Sequence, residues 1–266
     1  MSDPRWDGQR NLEVSIRGPA AVVTLMRPEK YNALSFELMV ELSETLHELE
    51  ELDEVRGVVL TGGPSFFSTG GDLNEALEVT DPVQYRSYNR HWRQLTETIE
   101  HLWKPVIAAI DGYCTTGGVE IALACDIRIA GGDAKFAITS SKIGSVAGVG
   151  GTQRLPRVVG RSAAKRMLFS ASFMSAEEAL NIGLVDEVVE AGRATAAAED
   201  EVAGWVDNAP LSIAWHKMAV NTGMNLDLES ALDFEAALSA QAFSSEDKRE
   251  GMSAFLEKRS AVFRGR

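Results

Sequence analysis

No apolar run in this 266-residue chain approaches the roughly 20 residues a membrane-spanning helix needs. The N-terminus, M-S-D-P-R-W-D-G-Q-R, is polar and has no hydrophobic stretch of the kind a secretory signal requires. Basic residues are scarce: 26 Lys and Arg stand against 39 Asp and Glu, for a net charge of −13. A general affinity for nucleic acid or for an anionic membrane surface is thereby excluded, because both need a basic face. An anionic ligand could bind only through a small local basic cluster. The two cysteines, Cys114 and Cys125, lack CxxC spacing and sit among apolar neighbours, so they read as buried free thiols in a reducing compartment. Four histidines, His47, His91, His101 and His216, are scattered without metal-ligand spacing, and no metal site is expected. No G-x-x-x-x-G-K-[ST] loop exists, G-V-G-G-T-Q (148–153) lacks the third glycine of the dinucleotide fingerprint, and no G-x-S-x-G elbow is present. The remaining reading is a soluble, cytoplasmic protein.

Hydrophobic residues make up 45% of the chain, which suits one large α/β domain or such a domain with a helical extension. Alternation in L-E-V-S-I, a turn at Gly18-Pro19 and the following A-A-V-V-T-L predict a hairpin. Helical spacing of Phe36, Met39, Val40, Leu42, Leu46 and Leu49 predicts an amphipathic helix over 36–52. Short β-rich runs at 55–60, 105–110, 126–130, 134–138 and 184–189 alternate with helices, which implies βα units and a largely parallel sheet. Residues 74–101 read as a polar, helix-rich excursion broken at Asp81-Pro82. After the glycine-rich 144–151, one helix runs through Val159 and a second covers 162–169; Ser175 and Glu178 form a capping box for a helix over 176–182. From about residue 192 the pattern is wholly helical, giving a core over 1–200 and a helical region over 201–266.

Two glycine-rich turns follow short strands, F-F-S-T-G-G-D-L (66–73) and T-T-G-G-V-E (115–120). A Gly–Gly pair lets backbone approach a ligand closely, and at a helix start it leaves N–H groups unpartnered. Two such donors converging on one oxygen make an oxyanion hole. Each turn alone is equally readable as a tight strand-to-helix connection. One acid, Glu120, follows the second turn in an otherwise apolar helix. Burial there predicts a carboxyl whose pKa is raised toward useful acid–base range.

These segments resemble the crotonase (enoyl-CoA hydratase/isomerase) superfamily over nearly the whole chain. The resemblance is carried by R-P-E-K-Y-N-A-L (27–34), the two glycine turns within 66–73 and 104–126, G-V-G-G-T-Q-R-L-P-R-V-V-G (148–160) and E-G-M-S-A-F-L-E-K-R (250–259), in that order. It implies an α/β fold with a crotonase-like ββα spiral core and a helical C-terminal oligomerisation region, assembled as a homotrimer or a dimer of trimers. It implies an acyl-CoA substrate whose thioester oxygen sits between the amides of Gly71 and Gly117, with Glu120 as acid–base. No cofactor is implied beyond the coenzyme A of the thioester itself. Arg27, Lys30 and Ala33 match the early coenzyme A segment, the two basic residues being phosphate contacts or simple surface charge. Gly71, Asp72 and Leu73 match the loop that lines adenine and pantetheine. Phe255 and Lys258 match C-terminal positions that reach the nucleotide in family trimers, unless Phe255 is helix-face core.

The chain departs from the family in one place. Hydratases carry a second glutamate in a stretch shaped F-x-x-P-E-x-x-x-G; here the stretch is F-A-I-T-S-S-K-I-G (136–144) and Ser140 takes that position. A serine hydroxyl hydrogen-bonds but does not exchange a proton near neutral pH. The expectation therefore divides. One branch is a hydratase in which Glu120 makes both proton transfers while Ser140 positions water. A second is isomerisation, thioester hydrolysis or other acyl-CoA chemistry, and a third is a non-catalytic coenzyme A-binding subunit. The sequence leaves open whether His91 and Trp92 face an acyl chain or solvent.

Overall fold

The predicted hairpin forms from β1 (Leu12–Arg17) and β2 (Ala20–Leu25), paired antiparallel in the register Leu12–Leu25 to Arg17–Ala20 across a turn at Gly18, where φ is 59°. A computed structural model describes residues 4–6, 8 and 10–266. Ser35 then caps α1 (Phe36–Glu50), its hydroxyl accepting from Leu38 N, and of the predicted apolar stripe Met39, Leu42, Leu46 and Leu49 are buried, Phe36 half-buried and Val40 exposed.

From here the chain winds in a spiral of strand pairs. The first comprises β3 (Gly57–Thr61) and β4 (Phe66–Ser68), followed by α2 (Leu73–Leu77) and α3 (Pro82–His101). The second comprises β5 (Val106–Ile110), β6 (Tyr113–Thr115) and α4 (Gly117–Ala122). The third comprises β7 (Ile127–Gly131) and β8 (Lys135–Ala137), and leads to α5 (Arg154–Ser170). The first strand of each pair joins a six-stranded sheet in the order β1-β2-β3-β5-β7-β10, where β10 is Glu187–Val189. The second joins a four-stranded sheet, β4-β6-β8-β9, where β9 is Met174–Ser175. All pairings within the spiral are parallel. The short strands of this second sheet, β4, β6 and β9, are not among those the sequence predicts.

Side chains alternate across the large sheet and serve two apolar layers. Val14, Val23, Val58, Leu60, Val106 and Ala108 face the main core with α1 and α3. Val22, Val59, Ile107, Ala109 and Ile129 face the opposite side, covered by Ala194, Ala198 and Val202 of α7 (Ala194–Gly204). The two helices predicted through Val159 and over 162–169 are found on either side of Gly160, whose φ of 77° interrupts the helical path within α5. The capping box at Ser175 and Glu178 opens α6 (Ala176–Asn181) as predicted.

The helical end comprises α8 (Pro210–Gly223), α9 (Leu228–Ser244) and α10 (Glu246–Glu257). It is anchored to the core through Lys217, whose buried ammonium lies 2.8 Å from Asp126 and donates to the carbonyls of Ile99 and Lys104. Among the described residues no helix is long and apolar enough to cross a membrane.

Candidate active site

Strands β4, β6 and β8 are neighbours in the small sheet and run parallel. Parallel neighbours end at the same edge, so the turns that follow them, residues 69–72, 116–118 and 138–140, meet there. That edge lies beyond the carboxyl ends of the strands, where open α/β sheets bind ligands. The topology thus brings together Gly71, Gly117 and Ser140, three of the residues singled out from sequence.

The first turn is fixed by Leu34, which bridges Gly71 in parallel fashion. Leu34 N donates to Gly70 O at 2.7 Å, and Asp72 N donates to Leu34 O at 3.1 Å. In such a bridge the flanking residues do the bonding, so the N–H of Gly71 itself faces away from Leu34. Gly117 opens α4, where a first-turn N–H has no intrahelical partner. Neither amide donates to a protein acceptor among the described residues. The two turns abut so closely that a Cβ on Gly70 would lie 2.8 Å from Gly117 N. Glycine is required there for approach, not merely for flexibility.

Thr116, just before Gly117, holds φ 48° and ψ −109°, a backbone conformation that costs a non-glycine residue about 1–3 kcal/mol. Its neighbours impose it. Thr116 N donates to Ala137 O at 2.8 Å, its hydroxyl lies 2.9 Å from that of Thr139, and Thr139 N donates to it at 3.1 Å. The strained turn is therefore bolted to the segment that carries Ser140. Sequence reasoning passed over Thr116; only the backbone angle marks it.

Glu120 sits on the first turn of α4 and is 2% exposed. Its Oε1 accepts from Val149 N at 2.9 Å and from Gly151 N at 2.8 Å. Its Oε2 accepts from no protein donor among the described residues. Gly151 must be glycine, since a Cβ there would lie 2.9 Å from Glu120 Oε1 and 2.7 Å from the Ala147 methyl. Burial raises the Glu120 pKa from 4.5 to about 7, against the opposing pull of the two N–H donors and of the Arg154 charge. Arg154 is itself held by Glu100 through two 2.6 Å contacts. The carboxyl thus has one oxygen anchored, one open, and a pKa that lets it give or take a proton near neutrality. Beside its loop a cleft of about 670 Å³ opens, lined by Gly148, Val149, Gly150 and Arg154 with Asn89 and Arg93 of α3.

Ser140 is 4% exposed and starts a short 3-10 turn. Its carbonyl accepts from Ser145 N at 2.9 Å, while its hydroxyl has no protein partner among the described residues.

Across the glycine turns lies α3. Trp92 is 2% exposed and its ring edge covers both glycines: a Cβ on Gly117 would come within 2.6 Å of Cη2, and one on Gly71 within 3.1 Å of Cζ2. Tyr88 Oη lies on the Gly71 side, 2.9 Å from the same imagined Cβ. His91 is half-buried against the Phe36 ring, 4.8 Å between centroids. Of the pair left open by sequence, Trp92 faces the site.

The expected coenzyme A residues divide. Arg27 turns inward: its guanidinium donates to Ala33 O and pairs with Asp72 at 3.1 Å. Burial pushes the Asp72 carboxyl up, but the hydrogen bonds from Arg27 and Asn74 N outweigh it and hold the pKa below the usual value. The inward path is set by Tyr31 and Asn32, both at φ 54°, and by buried Asn32, whose amide donates to Gly62 O and Phe66 O at 2.8 Å. Lys30 and Leu73 are exposed beside this pair. Phe255 is 84% exposed on α10 and Lys258 ends that helix in a left-handed cap; α10 packs principally on α9, so neither residue is gathered to the glycine turns of its own chain. Among the described residues no cluster of three His, Cys, Asp or Glu side chains is placed to hold a metal ion.

The family model described as enoyl-CoA hydratase/isomerase matches residues 16–266. The chain is 40% identical over 250 residues to a short-chain-enoyl-CoA hydratase of Clostridium acetobutylicum, covering 94% of this chain and 95% of that protein. It is also 40% identical over 255 residues to an (E)-benzylidenesuccinyl-CoA hydratase of Thauera aromatica, covering 96% and 98%. Among solved structures, the enoyl-CoA hydratase of Bacillus anthracis superposes with a TM-score of 0.90 at 34% identity, over 97% of this chain and 100% of that one.

Proposed function

The chain belongs to the enoyl-CoA hydratase/isomerase family, and from that premise we propose that it hydrates a 2-enoyl-CoA with Glu120 as its single acid–base. It is an enzyme of that family, with enoyl-CoA hydratase-like activity. In the proposed reaction the thioester oxygen is held by the N–H groups of Gly71 and Gly117. Water adds its hydroxyl to the β carbon while Glu120 takes the released proton; the electron pair moves through the α carbon onto the thioester oxygen as an enolate. Glu120 then returns a proton to the α carbon, so one water is consumed and the carboxyl ends as it began. Donors fixed before the reaction stabilise the enolate at no cost in reorganisation, and each is worth about 10²–10³ in rate. Ser140 serves by hydrogen-bonding the water. No cofactor beyond the coenzyme A of the substrate enters this scheme.

The observation that carries this reading is the Glu120 carboxyl, with one oxygen tied to two amides, the other open, and a pKa raised to about 7. The test is loss of conjugated absorbance when purified protein meets crotonyl-CoA. A rate indistinguishable from that of a Glu120→Gln variant would sink it. Ser140 favours one second reading, isomerisation of a 3-enoyl to a 2-enoyl thioester, because moving a proton between two carbons needs only one carboxylate. Gain of conjugated absorbance from a 3-enoyl-CoA, without hydration, would select it.

A trimer or a dimer of trimers in the cytoplasm completes the proposal. Val220, Met224, Leu228, Leu232, Phe243 and Phe255 expose large apolar side chains on α8–α10, a surface suited to subunit contact. Light scattering at working concentration would count the subunits.

A further inference from the structure

Trp92 Nε1 has no hydrogen-bond partner, and it is the one buried side-chain nitrogen or oxygen among the described residues for which this is so. A buried N–H left unmade costs about 1–3 kcal/mol, so native proteins retain one where something else completes it. This one belongs to a ring whose edge covers Gly71 and Gly117, and Cζ2, the ring atom nearest Gly71, is on the nitrogen's side of the indole. Tyr88 Oη stands against Gly71 as well. Its pKa is raised, chiefly by burial, and the nearby indole N–H opposes the shift, yet the two groups do not meet at hydrogen-bond geometry. Tyr85 lies one turn earlier with its hydroxyl over Gly148, where a Cβ would come within 2.6 Å; Gly148 adjoins the loop that holds Glu120. Residues 85, 88 and 92 share one face of α3, as the spacing i, i+3, i+7 requires. Neither phenol donates to a protein acceptor among the described residues. Two donors, the Trp92 N–H and the Tyr88 hydroxyl, are therefore unspent beside the glycine turns, while Tyr85, 45% exposed, reaches solvent as well. A plain alkyl chain would leave the buried Trp92 N–H unsatisfied.

We propose that Trp92 and Tyr88, with Tyr85 behind them, form a polar acyl subsite that selects thioesters whose acyl group carries a neutral oxygen acceptor, a carbonyl or hydroxyl. Charge decides for a neutral acceptor over a carboxylate. Glu75 acts electrostatically on Tyr88 as an acid, and Asp72, although paired with Arg27, acts in the same sense more weakly. The inference rests on the reading of this site as one for acyl-CoA, and it adds what the acyl group is.

The test is binding without turnover. Affinities of butyryl-CoA, 4-oxopentanoyl-CoA and glutaryl-CoA, all saturated, are measured by calorimetry for the wild type, Trp92→Phe and Tyr88→Phe. The wild type should prefer 4-oxopentanoyl-CoA to butyryl-CoA by roughly ten-fold, the value of one well-made hydrogen bond in a dry site. Trp92→Phe should cut that ratio to within about two-fold, whatever it does to the absolute affinities, and Tyr88→Phe should lower it partway. Tyr88 is only half-buried, so its variant keeps the test alive if Trp92→Phe does not fold. Equal wild-type affinities, or a ratio that survives both substitutions, would overturn the subsite. Glutaryl-CoA binding more tightly than 4-oxopentanoyl-CoA would overturn the neutral acceptor. Crotonyl-CoA hydration with a flat ratio would remove this inference and leave the proposed function standing; a strong ratio without hydration would do the reverse.

Discussion

At Glu120, burial to 2% is answered by two backbone N–H donors within 2.9 Å; Ser140 is 4% exposed, and its hydroxyl meets no protein partner but is not a fully buried atom. Both positions follow strands of the same small sheet, and the two turns are joined through Thr116 and Thr139. The edge therefore seats two polar side chains and gives electrostatic support to one carboxylate. Support is the costly part, since a charge nine-tenths buried needs fixed donors and a shaped loop, here 147–151, whereas a hydroxyl is met by a single hydrogen bond or by water. On the proposed reading, this asymmetry assigns proton transfer to Glu120 and a water-holding or space-filling role to Ser140.

The comparison can be broken most decisively at Glu120. Glu120→Gln keeps an acceptor for Val149 N and Gly151 N while removing the proton, so hydration should fall by about 10²–10⁴ with little loss of fold. A drop of less than ten-fold would move the acid–base function away from Glu120. Next in size is Gly117→Ala, which brings a methyl to 2.6 Å from the Trp92 ring beside the amide; kcat should fall by about 10² or more through the lost donor geometry.

Stability against pH sharpens the contrast. Folding raises the Glu120 pKa from 4.5 to about 7, so the folded protein keeps a proton that the unfolded chain has lost. The resulting penalty is absent below pH 4.5, grows between 4.5 and 7, and is complete above 7. Glu120→Gln removes it, so the variant should gain on the wild type across that window by about 2–3 kcal/mol, read from denaturant midpoints at pH 5 and pH 8. A gap independent of pH would mean that the carboxyl is not buried as charge. The smallest effect belongs to Ser140→Ala, which removes one unpartnered hydroxyl and should cost at most about ten-fold in rate with no measurable loss of stability.

Much of this arrangement is legible in the chain. The hairpin, α1, the capping box and the break at Gly160 follow from alternation, helical spacing and turn residues. Glu120 stands out because an acid in an apolar helix requires a reason, and the glycine turns because backbone without side chains permits close approach. The second sheet is not legible: β4, β6 and β9 have two or three residues each, too few for any period to register. Without that sheet nothing in the sequence says that the turns after 68, 115 and 137 share an edge. Arg27 reads as a free cation because its pairing with Asp72 depends on the left-handed pair Tyr31–Asn32, a conformation that local sequence only weakly encodes. Trp92 is equally opaque, because the direction it faces is set by how α3 crosses the two turns.

The most direct measurement is a crystal structure with a saturated acyl-CoA bound. The account predicts the thioester oxygen within hydrogen-bond distance of both Gly71 N and Gly117 N, with Glu120 Oε2 the only carboxylate oxygen in reach of the α and β carbons. A thioester oxygen held by other groups, or a second acid beside those carbons, would contradict it.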